Sequence, residues 1–472
     1  MTISYYTYQD LNILRKRNAS EQDIMTFVRN TINLYQSSDL FKKADTADKY
    51  AKQQNVEAVN REKFYRDALG RLTKNEFVPC HRIRSNIYKV VTNQRNQYLL
   101  GNGMTLENPG SKDKLGKMFD VELNKGGEYA NEHGVAYLYW NNDHLEVFKA
   151  LNFAPLYDET TSSLRAGVRW WRLAQNKPLR ATLYEEDGYT EYIWGINEKG
   201  EIDENGRVLF EKRKYKQERV GTDAEGYQIT DYQNYTSFPI VPLWANKEHI
   251  CPLDGIKPTI DAFDELSNSL NDDLVESQIF WLISGADGMD KQDLIEYMQQ
   301  LRSLKVSNPS DGQNVQPYTV NIPYVERQSE MERLEKQIYR DFQALDISEI
   351  KSGAVTATQI KAAYEPLNHS ADNFEYCVLE ALYSLFKLIP GLENENPTFT
   401  RSMLINTTEQ IQALELVKGT LGTEYVAEKE LLLFGDGDKA AEILEKIKSE
   451  EMAMFMQNEP TEEAEQQPKV EE

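Results

Sequence analysis

The residue types that usually carry chemistry are present in this chain, but not at working spacings. The five histidines, His81, His133, His144, His249 and His369, share no ligand spacing. Each therefore reads as a surface residue or a hydrogen-bonded core residue rather than a metal ligand. Cys80, Cys251 and Cys377 are far apart, odd in number and in no CxxC or CxxH pattern, so neither a disulfide framework nor a zinc site is expected. Asp436 and Asp438 in Phe434-Gly-Asp-Gly-Asp438 lack the remaining oxygen ligands of a calcium loop. Asp438 fits better as the cap of a following helix. There is no GxxxxGK[ST] phosphate loop, no GxGxxG after a strand, no GxSxG elbow and no HExxH. Carboxylate pairs abound, but with 76 Asp and Glu against 53 Lys and Arg their presence selects nothing. No catalysis, cofactor or metal is expected.

Two cationic clusters and one loop remain. Lys212-Arg-Lys-Tyr-Lys216 could reach a phosphate backbone, although a solvated hairpin arm is the plainer reading. Arg61, Lys63, Arg66, Arg71 and Lys74 could meet a neighbouring subunit's acidic face, or simply lie on an exposed helix. Residues 346–355 are polar, include Asp346, Glu349, Lys351, Ser352 and Gly353, and join two long helical patterns. The tip of such a loop can project while its ends stay held, and small residues let it change shape. Taken alone, these residues fit a plain helix connection as well as a functional loop.

The elements that would hold this loop are legible from periodicity. In Asp254 to Glu276, Ile256, Ile260, Phe263, Leu266, Leu270 and Leu274 recur every three or four residues, with Asp254, Asp261, Asp264, Asp272 and Asp273 opposite. A second helix is expected from Tyr324 to about Leu345, with Met331, Leu334, Ile338, Phe342 and Leu345 on one side and alternating charge at its rim. Between them, residues 279–323 read as a mixed insert with a helix at 291–302 and strand-like pieces at 304–306 and 318–320. Thr356-x-x-Gln359 has the form of a capping box and opens a third helix, expected to reach about Ile389 before Pro390-Gly391. Pro366 inside that helix removes a backbone hydrogen bond, so a kink is expected there.

Upstream, residues 1–75 look helical. Ile24, Phe27, Val28, Ile32 and Leu34 lie near one face, and Lys43 to Tyr65 is so charged that it reads as a surface arm. Ile87, Val90, Val91, Tyr98 and Leu99 form a stripe ending before Gly101-Asn-Gly103. From about Gly134 to Ala245 the pattern changes to short aromatic and β-branched runs at 135–140, 145–148, 168–172, 181–184 and 191–194. Turn residues, including Asp187-Gly188 and Asn205-Gly206, separate them. The fold class is therefore α+β, with an antiparallel sheet region between helical ones. Downstream, a strand-like run at 399–405, a capping box at Thr407, a helix from about Asp438 to Phe455 and an acidic, unstructured tail from Gln457 are expected.

Length and charge narrow the function classes. A chain of 472 residues with 40% hydrophobic content can build several cores. No run approaches the length of a membrane span, and the start lacks a signal core and cleavage site, which points to a cytoplasm. The formal net charge is −23. A tight DNA binder carries a basic footprint that replaces counterions, so the chain is a poor candidate for a repressor or a polymerase-like clamp. A wall past which DNA slides without sticking is compatible with that charge, as is solubility alone.

The order of these parts resembles the portal proteins of tailed bacteriophages, in particular those of long-tailed phages of Gram-positive hosts. Tyr98-Leu-Leu-Gly-Asn-Gly103 resembles the segment that ends an early helix. Gly134-Val-Ala-Tyr137 resembles the strand opening the sheet region. Phe238-Pro-Ile-Val-Pro-Leu243, with Glu248 and Leu253, resembles the lead into the first stem helix. Asn321-Ile-Pro323 and Ser352-Gly-Ala-Val-Thr-Ala-Thr358 resemble the clip exit and the channel loop. The resemblance covers roughly residues 60–448.

The resemblance implies a wing over 1–253, stem helices at 254–277 and 324–345, and a clip at 278–323. It implies a channel loop at 346–355, a kinked helix at 356–389, a crown at 390–456 and a free tail at 457–472. Asp346, Glu349, Lys351, Ser352, Gly353 and Thr356 would face DNA in the channel, with Lys351 the positive contact. Ile256, Ile260, Phe263, Leu266, Leu270, Leu334, Ile338 and Phe342 would pack the stem. The family's partners are further copies in a ring of about twelve, double-stranded DNA, the terminase large subunit, a head-completion or adaptor protein, scaffold and major capsid protein. The expected location is a capsid vertex of the virion, after assembly in the host cytoplasm. Another ring-forming head or neck adaptor is the alternative reading, though adaptors are usually much smaller. An acidic cytoplasmic enzyme acting on a small cationic substrate is a third, with no constellation to name its reaction.

Overall fold

The structure is a computed structural model. It describes residues 5–66, 70–75, 78–197, 200–222, 228–276, 280–284, 314–318, 323–347, 357–402, 414–416 and 423–434, with a few single positions besides. The chain divides into two compact units. One comprises residues 1–347 and 363–402, and the other comprises residues 348–362 and 403–472.

Helices α1 (Tyr8–Lys16), α2 (Glu21–Ser37), α3 (Asp39–Ala51) and the short α4 (Val56–Val59) open the chain. Ser20 caps α2 by accepting from the Asp23 amide, and the Asp23 carboxylate answers the Ser20 amide. Ser38 ends α2 and caps α3, accepting from the Phe41 amide. Ile24, Phe27, Val28 and Ile32 are buried as their spacing predicts, but Leu34 points outward and Tyr35 takes the inner position. The expected surface arm is a correction. The α3 helix buries Ala44, Ala47 and Tyr50 completely, because all its charged residues but Asp48, which meets His133, lie away from that inner stripe.

The hairpin β1 (Phe64–Arg66) and β2 (Leu72–Lys74) follows, where helix was expected. Next come α5 (Ile87–Leu100), β3 (Met104–Thr105) and α6 (Phe119–His133). In α5, Tyr88, Val91, Tyr98 and Leu99 face inward while Val90 is exposed. The α6 helix stops at Gly134, whose φ of 92° is left-handed and whose Cα sits against the Cys251 backbone, where a Cβ would lie 3.1 Å from Cys251 Cα.

The sheet region contains β4 (Val135–Asn141), β5 (His144–Lys149), β6 (Phe153–Tyr157), β7 (Leu164–Trp171), β8 (Leu179–Glu185), β9 (Gly188–Ile196) and β10 (Ile202–Arg213). It continues with β11 (Lys216–Thr222), β12 (Gln228–Gln233) and β13 (Ile240–Trp244). Strands β6 to β10 form an antiparallel five-stranded meander, and β13-β4-β5 form a three-stranded sheet. Asp187-Gly188 lies at the β8–β9 turn as expected. Asn205-Gly206 does not make a turn. It sits inside β10 at a register shift, where Gly206 leaves room for Trp194 and Met25. A bulge and a turn use the same residue types, and here the glycine serves close packing.

The remaining elements are α7 (Leu253–Glu276), β14 (Phe280–Ser284) paired with β15 (Asn314–Tyr318), α8 (Tyr324–Phe342), α9 (Ala357–Phe386), β16 (Thr398–Phe399) and α10 (Thr423–Phe434). The α9 helix ends at Phe386, a few residues short of the expected Ile389. Of the strand-like run expected at 399–405, Phe399 pairs, together with Thr398, with Met104–Thr105, and residues 403–405 lie outside the described residues. The remaining insert pieces between β14 and β15, apart from three helical positions, lie outside the described residues, as do the Thr407 capping box, Asp436, Asp438, the bulk of the 438–455 helix and the tail.

Three apolar clusters hold the first unit together. One joins α5, α6, the three-stranded sheet and the later half of α9. A second packs α1 and α2 on the meander. The third joins α3, α5, α7 and α8. Among the described residues no helix is long and apolar enough to cross a membrane.

Candidate functional site

Helices α7 and α8 pack side by side. Ile256 and Ile260 near the start of α7 share a cluster with Ile338 and Phe342 near the end of α8. At the opposite end Arg327 Nη1 lies 2.5 Å from Asp273 Oδ2. The pair is therefore an antiparallel hairpin about 36 Å long on its α7 side at 1.5 Å per residue. Phe263 packs against the cluster from a half-buried position, and Leu266 is half-buried. Leu270 and Leu334 are buried, while Leu274 is exposed. Pro258 lies in the second turn of α7, where it removes the backbone bond to Asp254. Beyond its buried stripe α8 is open to solvent, with Tyr324, Val325, Glu326, Glu332, Arg333, Glu335 and Lys336 all exposed.

The end of α8 is clamped. Gln343 caps the helix in the left-handed region at φ 57°. Gln94 of α5 then holds Leu345 from both sides: its Nε2 donates to the Leu345 carbonyl at 3.0 Å, and its Oε1 accepts from the Leu345 amide at 2.8 Å. Beside it, the Arg95 guanidinium lies over the rings of Phe342 and Phe374 and donates to Asn131. Burial pushes the Arg95 pKa down to about 10. The near end of the 346–355 loop is thus fixed through its backbone. Asp346 and Ile347 are described at that end. Glu349, Lys351, Ser352, Gly353 and Thr356 lie outside the described residues. Pro366 is exposed within α9. Past it, Tyr98 donates to Asn368 at 2.6 Å, and Arg401 bridges Asp372 and Glu375.

The acidic face of α7 is covered by the same chain. An extended strap, residues 79–85, runs antiparallel to the helix. The Ser85 amide donates to Asp264 Oδ1 at 2.9 Å. The Ile83 amide and carbonyl bond Asn268 Oδ1 and Nδ2 at 2.6 and 2.9 Å. The His81 amide donates to Asp272 Oδ1 at 2.8 Å. Alternate strap residues therefore meet helix positions i, i+4 and i+8. The match is geometric, since four helical residues rise about 6.0 Å and two strand residues about 6.6–6.8 Å. Asp264 also accepts from Asn55. Burial raises the Asp264 pKa, outweighing these hydrogen bonds. Asp272 is buried too, yet the His81 amide and the Arg61 side chain pull it down to about 2.

This corrects the reading of the first cationic cluster. Arg61 Nη1 and Lys63 Nζ lie 2.5 and 3.1 Å from Asp272 Oδ2, and Arg61 Nε lies 2.8 Å from Glu265. Arg61 and Lys63 serve their own chain's α7 rather than a neighbour's, and Arg66 and Lys74 sit on strands instead of a helix. The second cluster is also engaged within the chain. Lys212 pairs with Glu185 and Asp187, Arg213 lies over the Phe210 ring, and Tyr215 is buried. Asp264 and Asp272 were read as part of an acidic face, but Asn268 between them was not singled out, and the strap they receive carries no pattern of its own.

The chain matches the family model described as "Phage portal protein, SPP1 Gp6-like" over residues 33–453. It is 24% identical over 391 residues to the portal protein of Bacillus phage SPP1, covering 76% of this chain and 74% of the relative. It is 21% identical over 372 residues to the portal protein of Clostridium phage phiCD119, covering 73% and 80%. Among solved structures, a chain from the neck of an empty GTA particle aligns at a TM-score of 0.40 and 12% identity, covering 74% of this chain and 88% of that one. The α+β architecture, the helical hairpin and the family match across most of the sequence lead to one conclusion: this chain belongs to the SPP1 Gp6-like family of phage portal proteins, structural components of the virion and not enzymes.

Proposed function

We propose that the chain is one subunit of a ring of about twelve copies around a DNA channel at a single capsid vertex. Double-stranded DNA passes through it during packaging and ejection. The terminase large subunit docks first, and a head-completion or adaptor protein replaces it. Scaffold and major capsid protein surround the ring during assembly. Residues 1–253 act as wing, 254–277 and 324–345 as stem, 278–323 as clip and 390–456 as crown. Pro366 kinks the helix over 356–389, and the tail from 457 stays outside the ordered ring. ATP hydrolysis belongs to the motor, consistent with a sequence that lacks a phosphate loop.

The observation that carries this reading is the extent of the family match, which runs from α2 through the hairpin, the loop and α9 to residue 453. The exposed side of α8 supports it, because a ring needs a face left free for the next copy. The Gln94 clamp supports a channel role for residues 346–355, since a collar loop must project from a fixed base. Light scattering and negative-stain microscopy on the purified chain test the ring: a closed assembly near a dozen copies with a central hole is expected. A chain that stays monomeric or dimeric at every salt concentration, even when co-produced with its scaffold, would overturn it. Lys351→Ala combined with shortening of the loop should impair DNA retention, and unchanged packaging and retention would remove the loop from the reading.

A further inference from the structure

A cleft of about 650 Å3 opens between α2 and the β9–β10 edge of the meander. Met25 and Trp194, both buried, contribute to its lining. Arg29 from α2 and Arg172 just beyond β7 line it, as do Glu201 and Asp203 at the β9–β10 hairpin. Among the described residues, neither arginine has a carboxylate within ion-pair distance. Arg29 is half-buried and its side chain makes no hydrogen bond among the described residues, and burial pushes its pKa below the ordinary value. Arg172 Nε donates to the Lys177 carbonyl at 2.9 Å, but its Nη2 is buried without a partner.

Several other arginines pair with carboxylates, although the buried Arg95 does not. Arg15 pairs with Glu185, Arg61 with Asp272, Arg169 with Glu146 and Arg401 with Glu375. With 76 acidic residues against 53 basic ones, partners are plentiful. Even Asp203, lining the same cleft, does not close on either guanidinium. Both signs of charge therefore line one cavity, with Glu201 accepting from Asn197 Nδ2 at 3.2 Å and Asp203 without a side-chain hydrogen bond among the described residues. An unpaired, partly desolvated guanidinium is matched by a carboxylate in a bidentate contact. A polyanion such as nucleic acid would satisfy the arginines but bring nothing for Glu201 and Asp203.

We propose that this cleft docks a segment of a partner polypeptide that presents an acidic side chain to Arg29 and Arg172 and a basic one to Glu201 and Asp203. An isolated chain suffices to test this, with no ring required. An arginine-selective dicarbonyl reagent is applied to the full chain, and modification of Arg29 is followed by mass spectrometry, with exposed Arg340 as control. The probe is a blocked peptide, acetyl-Gly-Asp-Gly-Lys-Gly-amide, at millimolar concentration. It should slow modification of Arg29 several-fold and leave Arg340 unchanged. Inorganic phosphate and a short DNA duplex should protect far less. No protection by the peptide, or equal protection by phosphate or duplex, overturns the proposal. Asp203→Asn should keep the basal rate at Arg29 and abolish protection by the peptide. Protection that survives this substitution would refute the two-charge recognition.

Discussion

Asp272 is an anion with no exposed side-chain surface, held by the His81 amide and ring, by Arg61 and by Lys63. Removing it leaves two cations facing a site built for a carboxylate, and breaking a buried pair from one side is costly. Asp272→Ala should destabilise the chain by about 3 kcal/mol in guanidinium denaturation, whereas Glu265→Gln, on the exposed arm of Arg61, should cost about 0.5 kcal/mol or less. Equal effects would mean that the strap contributes little to holding α7. At this scale the sequence was half legible. Ile256, Ile260, Ile338 and Phe342 were identified by periodicity because an apolar stripe announces itself. The partners of Asp264 and Asp272 were not, because they lie 179 and 191 residues away in the chain, in a segment met chiefly through its backbone amides.

The strap and α7 form an element that should respond to acid from one end. Asp272 has a depressed pKa, so its contribution is present above the ordinary carboxylate range and is lost as pH falls toward about 2. Asp264 has a raised pKa, so the docked strap binds its proton more tightly than the free strap does, and acid favours docking there. The two sit at opposite ends of the ladder. Between pH 6 and pH 3, hydrogen exchange corrected for intrinsic rates should show protection falling first at the His81 amide and last at the Ser85 amide. Loss in the reverse order, or in concert, would contradict the separate titration of the two ends. Elements of this kind are hard to read from sequence for a physical reason. The meander was legible because each strand alternates and its neighbours follow in order, and α3 was misread because outer-face charge masked a narrow inner stripe. The strap pairs side chains with backbone, and neither periodicity reports that.

At the scale of the whole molecule, charge sets the terms of assembly. Each copy carries a formal −23, so assembling the proposed ring works against long-range repulsion. The hairpin does not offset this with an open basic surface. Arg327 and Arg61 are spent on Asp273 and Asp272, and Arg333 is held by Glu330 within its own helix. What α8 leaves free is a mixture: Tyr324 and Val325 beside Glu326, Glu332 and Glu335, with Lys336 as an exposed cation. An interface built on such a face gains from apolar burial and loses from like charge. Salt weakens the second term, because the screening length falls from about 10 Å at 0.1 M to about 3 Å at 1 M, while apolar contact is little affected. Raising monovalent salt from about 0.05 M to about 0.5 M should therefore increase the assembled fraction in sedimentation velocity at fixed protein concentration. A ring that dissociates over that range would instead be held by ion pairs between copies. Lys336, exposed on α8 and without an ion pair among the described residues, would then be a first candidate to supply one.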